Sequence, residues 1–321
     1  MSASPDLSAL PTLPLSLGTR LLSSAPPLAF HPGGDVTLAG EGLYAAPRAG
    51  QPAGQPAQLT DCGDRGAVLA APSDTPAASL LSLVPSGASG ASGGSGYELR
   101  GPGVPPAAAG LPPLVAPSAL RAAPGGRGWL LACAVPDLLV GSGASRSVLA
   151  LPATGRVLAA EFLPPAPGGA GAAAAAPPPV LAVTSCGGVF LDELPLRSPP
   201  APAEPYKQAA VLPATGSSPL AVLLLSLSGG LLSLAFPRAP TRELPCPPDA
   251  RAVPLPEPCL SIAAHQASFL ALLPSLLLSL PPASPPSLSS PVPPSCTAVH
   301  AHPRAPGFYL RSPSRYLYCL P

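Results

Sequence analysis

The chain has no asparagine and, across 321 residues, a single lysine (Lys207), a single isoleucine (Ile262) and a single methionine (Met1). Without asparagine no N-glycosylation acceptor exists, so a secretory route gains no support. The lone lysine follows Tyr206 and lies outside any glycine loop, so no phosphate-cradling P-loop signature is present. Charge is scarce and unclustered, with sixteen Lys and Arg against fifteen Asp and Glu for a formal net charge of +1. Phosphate binding needs several basic side chains on one face, and direct nucleic-acid binding is therefore not expected. The first residues, Met1 to Arg20, carry Asp6 and several prolines and lack a basic segment followed by an unbroken apolar run, which argues against a signal peptide. Their Ser/Ala-rich character leaves an organellar transit peptide as the alternative.

Proline is abundant. It supplies 54 residues beside 32 glycines, a level usual in low-complexity chains. Few windows of about 15 residues lack one, and each costs about 3 kcal/mol inside a helix, so long helices are not expected. The shortage of Asn, Lys, Ile and Met, whose codons are A/T-rich, points to a G/C-rich coding sequence. Nucleotide bias then accounts for part of the Ala and Pro excess, which weakens proline as a sign of disorder. The 47% of hydrophobic residues is enough for a sizeable core in a chain of this length. Seven cysteines (Cys62, Cys133, Cys186, Cys246, Cys259, Cys296, Cys319), odd in number and scattered, suit reduced thiols in a cytosolic or nuclear setting better than a disulfide framework.

Two segments carry hairpin chemistry. Val180 to Ser185 and Val189 to Leu194 flank Cys186-Gly187-Gly188, and Leu220 to Ser228 and Leu231 to Phe236 flank Gly229-Gly230. In each, apolar β-formers surround a glycine pair able to supply φ > 0. The pairs lie 42 residues apart, the spacing of propeller blades. Weaker units of the same kind fall at Val36 to Ala46, Ala67 to Val84, Trp129 to Leu151 and Cys259 to Leu273, and Arg156 to Pro164 reads as an inner strand ending in an aromatic and proline. The expected fold is all-β, a partial or degenerate β-propeller with Pro/Ala/Gly-rich insertions and a disordered C-terminal tail. Residues 1–27 are expected to be a disordered N-terminus, 28–273 the propeller-like domain with linkers at 86–117 and 164–179, and 274–321 a Pro/Ser/Leu-rich disordered tail.

Motif matches resolve mostly into ordinary structure. Gly90-Ala91-Ser92-Gly93-Gly94 has the spacing of a hydrolase nucleophile elbow but lacks the strand and helix that elbow requires, so it reads as linker. No cysteine pair has C-x-x-C spacing, and Cys246 and Cys259 have no histidine placed to complete a zinc site, so structural thiols are favoured. His265 is the one histidine in the apolar runs; His31 lies beside Pro32, and His300 and His302 fall in the expected tail. Leu-Pro-Ala-Thr-Gly occurs at Leu151 to Gly155 and Leu212 to Gly216 and reads as a repeated strand-edge turn. No catalytic, cofactor-binding or metal residue is assigned. Two other readings compete. Pro219 to Phe236 and Cys259 to Leu280 are uncharged runs of 18 and 22 residues, long enough for a membrane-inserted helical hairpin. Proline content alone supports a largely disordered or wrongly assigned gene product.

The succession VLALP (Val148 to Pro152), RVLAAEFLP (Arg156 to Pro164), PVLAVTSCGGVFLDELPL (Pro179 to Leu196), SPLAVLLLSLSGGLLSLAF (Ser218 to Phe236) and PEPCLSIAAHQ (Pro256 to Gln266) resembles, in order, blade strands of the N-terminal propeller of the nucleoporin eighty-eight family. That resemblance implies a non-enzymatic, WD40-like protein-interaction scaffold at the nuclear pore. It implies other proteins as partners, other nucleoporins among them, and a location in the nucleus or nuclear envelope, with the cytoplasm as the alternative. The Trp-Asp dipeptide of typical WD40 blades is missing.

Overall fold

In the computed structural model, the described backbone comprises strands between Ser16 and Leu320. Side chains are described for most residues of 151–299 apart from 153–154, 164–177, 199–203, 215–218, 283, 285 and 288, and for a few outside that range, among them Leu130, Leu138, Phe308 and Leu310. Two compact units make up the chain, Pro27–Thr184 and the combination of Met1–Pro26 with Ser185–Pro321.

All described elements are strands, paired antiparallel. β1 (Ser16–Gly18) belongs to the second unit. The Pro27–Thr184 unit opens with a sheet of β2 (Pro27–His31), β3 (Gly34–Ala39) and β4 (Gly42–Ala45), then one of β5 (Val68–Ala70), β6 (Leu81–Pro85) and β7 (Tyr97–Arg100). A third follows with β8 (Pro117–Ala122), β9 (Gly128–Cys133), β10 (Asp137–Ser142) and β11 (Ser145–Ala150), and the unit ends with β12 (Val157–Phe162) and β13 (Val180–Thr184). The first strands β2, β5, β8 and β12 are neighbours in turn, so successive sheets are joined along their leading strands.

The second unit continues with β14 (Val189–Leu191) and β15 (Leu194–Arg197), paired antiparallel with each other. Next comes the sheet of β16 (Tyr206–Leu212), β17 (Ala221–Ser226), β18 (Leu231–Ala235) and β19 (Asp249–Val253). It is followed by β20 (Ser261–His265), β21 (Ser268–Leu272), β22 (Leu276–Leu280) and β23 (Leu288–Pro291). The last sheet has β24 (Ala298–Ala301), β25 (Phe308–Ser312) and β26 (Arg315–Leu320), and β1 pairs with β26 as its outermost strand. Leading strands are again neighbours, β16 to β20 and β20 to β24.

Burial follows strand position. β17, AVLLLS, is buried at every residue, whereas the edge strand β19, DARAV, is exposed at all but its last. A strand apolar on both faces belongs between two covered faces, and alternation divides it between them. In β21, Phe269 and Ala271 pack with Leu223, Leu225 and Ile262, while Leu270 and Leu272 on the opposite face pack with Val299, Phe308 and Leu310. One strand thus serves two intersheet cores.

In three places the structure has strands where disorder or a linker was expected. The stretch from Pro274, read as a disordered tail, carries β22 to β26. Its Leu-rich composition hid a two-faced pattern: Leu278 and Leu280 fill one core and Leu277 the other, while the Ser279 hydroxyl donates to Ser268 Oγ at 3.1 Å. Ser16–Gly18 and Pro27 lie in strands within the segment expected to be a disordered N-terminus, because β26 and β3 supply their backbone partners. Tyr97–Arg100 is likewise a strand inside the expected 86–117 linker, paired with β6. The 164–179 linker falls largely outside the described residues.

The alternative of membrane helices at 219–236 and 259–280 also meets a different outcome. Both runs are strands, broken by Gly229 with its φ of 94° and by the turn at Pro274 and Ser275, where Leu273 N–H donates to Leu276 O at 2.7 Å. Among the described residues no helix is long and apolar enough to cross a membrane.

Candidate interaction surface

Both glycine-pair hairpins form, and the first glycine of each supplies the left-handed conformation, Gly187 at φ 80° and Gly229 at φ 94°. In the second, Gly229 N–H donates to Ser226 O at 3.2 Å and Ser226 N–H to Gly230 O at 2.9 Å. This is a three-residue loop closed by a positive-φ glycine, the usual bulged variant of a hairpin. Ser226 Oγ accepts a further bond from Gly230 N–H at 2.9 Å.

Each turn also binds the segment that leads into the following sheet. Tyr206 N–H donates to Ser185 O at 2.8 Å, and Cys259 N–H donates to Gly229 O at 2.9 Å. Between them Leu227 N–H donates to Pro205 O at 3.2 Å. The turn at Gly187, the lead-in at Pro205, the turn at Gly229 and the lead-in at Cys259 therefore form one hydrogen-bonded series. Close approach explains the glycines, since a Cβ on Gly229 would lie 2.7 Å from Pro258 Cβ and 2.9 Å from Cys259 N. On Gly187 it would lie 2.7 Å from Tyr206 Cε2.

Glu204 ties the series on its outer side. Its carboxylate accepts from the Ser228 hydroxyl at 2.6 Å and from Ser228 N–H, and these bonds, the hydroxyl's foremost, hold its pKa below the ordinary value of 4.5. Above this fastened base two apolar side chains face solvent: Leu227 is 58% exposed and Leu260 36% exposed. Fixed turns presenting exposed leucines form a surface suited to a protein partner.

Below the turns, polar side chains close the open edges of leading strands. The Gln208 carboxamide donates from Nε2 to Ile262 O at 2.7 Å and accepts Ile262 N–H at 3.1 Å. One side chain of β16 thereby satisfies both backbone groups that Ile262 turns away from its own sheet. Ser261 repeats the device one sheet later, donating to Gln208 Oε1 at 3.3 Å and accepting Val299 N–H at 3.3 Å. The sequence reading missed Gln208 and Ser261; the one signal available was a polar residue in each of two strand-forming runs.

The residues weighed from sequence scatter. His265 is buried at the end of β20 with its ring edge-on to Phe308, centroids 5.8 Å apart. Cys259 is buried, its thiol 3.3 Å from Ser261 O and 3.4 Å from Leu272 O, and desolvation pushes its pKa up to about 12. Cys246 and Cys296 are buried and Cys186 is half-buried. Lys207 is half-buried in β16. Leu151 follows β11 and Leu212 ends β16, both buried, so each Leu-Pro-Ala-Thr-Gly copy starts at a strand end. Among the described residues no three His, Cys, Asp or Glu side chains gather as a metal site. The Gly90 to Gly94 segment and His302 lie outside the described residues, and His31 and His300 lie in strands whose backbone alone is described.

Successive antiparallel sheets joined along their leading strands have clear counterparts among solved structures. The WD40 β-propeller domain of Doa1 matches with a TM-score of 0.54 at 10% identity, over 95% of this chain and 97% of that one. The β-propeller domain of Myceliophteria thermophila Cps50 (Swd1) matches at 0.51 and 11% identity, over 75% of this chain and 79% of that one. The fold is that of WD40-like β-propellers. Each sheet is a blade in these terms, and the turn-to-lead-in bonds join neighbouring blades. No family model and no curated protein matches the sequence.

Proposed function

We propose that this chain is a non-enzymatic protein-interaction scaffold of β-propeller type, a structural component of the nuclear pore that holds other nucleoporins at the nuclear envelope. The observation that carries the scaffold reading is the continuous surface of turns and lead-ins around Gly229, fixed by backbone hydrogen bonds and presenting Leu227 and Leu260 to solvent. Such a surface offers apolar anchors on a rigid base, which limits the entropy lost on binding. The nuclear-pore assignment is supported by the ordered resemblance of five strand segments between Val148 and Gln266 to blades of the nucleoporin eighty-eight propeller. Expression of the tagged full chain tests it. The proposal expects a nuclear-rim signal and co-purification of nucleoporins, whereas a diffuse cytoplasmic signal with no nucleoporin recovered would reject the pore assignment.

A further inference from the structure

Away from the turn surface, the outer side of the β16–β19 blade carries a second feature. β19 ends its sheet, pairs only with β18 among the described strands, and exposes Asp249, Ala250, Arg251 and Ala252. Alternate residues of such an edge direct their N–H and C=O away from the sheet. Asp249, Arg251 and Val253 share one face, and that face forms a wall of a cleft of about 210 Å³ whose apolar lining includes Leu223, Phe269 and Leu280. Across the cleft stands the proline segment after β22, held by Ser233 Oγ donating to Pro282 O at 3.0 Å. Neither Asp249 nor Arg251 has a side-chain hydrogen bond or ion pair among the described residues.

We propose that β19 and this cleft take an extended peptide of a protein partner as an added strand. Charged residues on an edge strand by themselves guard against edge-to-edge pairing. That role does not call for an open apolar cleft behind the charges, and a cleft is what an added strand needs for one of its side chains. An apolar cavity of about 150 Å³ already admits benzene, so this volume accepts a single Leu or Phe side chain.

Register fixes the partner's chemistry. A strand added antiparallel places an apolar residue opposite Val253, an acid opposite Arg251 and a base opposite Asp249. The recognised pattern is therefore apolar-x-acidic-x-basic, read from the peptide's N-terminus. The intervening residues face solvent and carry little selectivity.

The inference names a partner class for the scaffold proposed above and so rests on that reading. The test uses the full chain and two fluorescein-labelled peptides, one containing Leu-Thr-Glu-Thr-Arg and the other Leu-Thr-Arg-Thr-Glu, followed by fluorescence anisotropy. The first should bind about tenfold tighter, because two opposite-charge cross-strand pairs are exchanged for two like-charge pairs. In the double variant Asp249→Arg with Arg251→Asp the preference should invert. Equal binding of the peptides, no binding of either, or an unchanged preference in a variant with native circular dichroism would each overturn the docking site. If that happens while the chain still reaches the nuclear rim with nucleoporins, the docking site alone falls and the scaffold reading stands.

Discussion

Replacing Gly229 by alanine probes the turn-to-lead-in joint where it is tightest. The backbone there has φ 94°, and a Cβ would meet Pro258 Cβ at 2.7 Å, Cys259 N at 2.9 Å and Cys259 O at 3.0 Å. Two of those three atoms are backbone, so relief requires moving the lead-in to β20. The conformation alone costs about 1–2 kcal/mol for a residue with a side chain. Displacing the lead-in also removes the 2.9 Å bond from Cys259 N–H to Gly229 O, at about 1 kcal/mol or more for a donor left unpaired. Gly229→Ala should therefore destabilise the chain by about 3 kcal/mol. Gly230→Ala is the internal control: its Cβ would meet only Ser226 Oγ at 3.3 Å, and its φ lies outside the left-handed range. Urea denaturation followed by far-ultraviolet circular dichroism reads the difference. Equal midpoints for the two variants would refute the joint.

Three further outcomes follow from the same geometry. Gln208→Ala leaves Ile262 N–H and C=O without their partner and should cost about 2 kcal/mol in urea denaturation, and Gln208→Glu, which sets an oxygen against Ile262 O, should not restore it. With its thiol pushed up to about 12 and buried, Cys259 should stay inert to a thiol reagent at pH 8 or thereabouts. The native chain and Cys259→Ser should then release equal thiol signals when folded and differ by one thiol when unfolded. Glu204 has a folded pKa below its unfolded value, so its stabilisation is present above the unfolded value of 4.5 and is lost as pH falls through the folded one. Relative to Glu204→Gln, the native chain should lose stability as pH falls below 4.5. A parallel pH dependence in the two proteins would exclude the bond to Ser228 as its source.

Local turn chemistry made the hairpins around Gly187 and Gly229 legible, because a glycine pair between β-forming runs has few other uses, and their spacing carried the blade period. Composition misled at Leu276–Leu280. Pro, Ser and Leu together resemble low-complexity sequence, and the alternation that sends Leu277 to one core and Leu278 to the other shows only once both neighbouring sheets are in place. Tyr97–Arg100 and Ser16–Gly18 were hidden for a related reason, since a strand of three or four residues is defined by its partner more than by its own pattern. The interaction surface was legible only in part. Exposed Leu227 sits in a turn foreseen from the glycines, but Gln208 and Ser261 act across 54 and 38 residues of sequence on backbone atoms that no motif describes.

The scaffold account is tested most directly by changing its two apolar anchors together. The double variant Leu227→Glu with Leu260→Glu alters side chains that are 58% and 36% exposed and leaves the backbone bonds of the turn and lead-in in place. Partner proteins recovered with the tagged chain should fall to background in this variant, with the dichroism spectrum that of the native fold. Undiminished recovery from a folded double variant would contradict the assignment of this surface to partner binding.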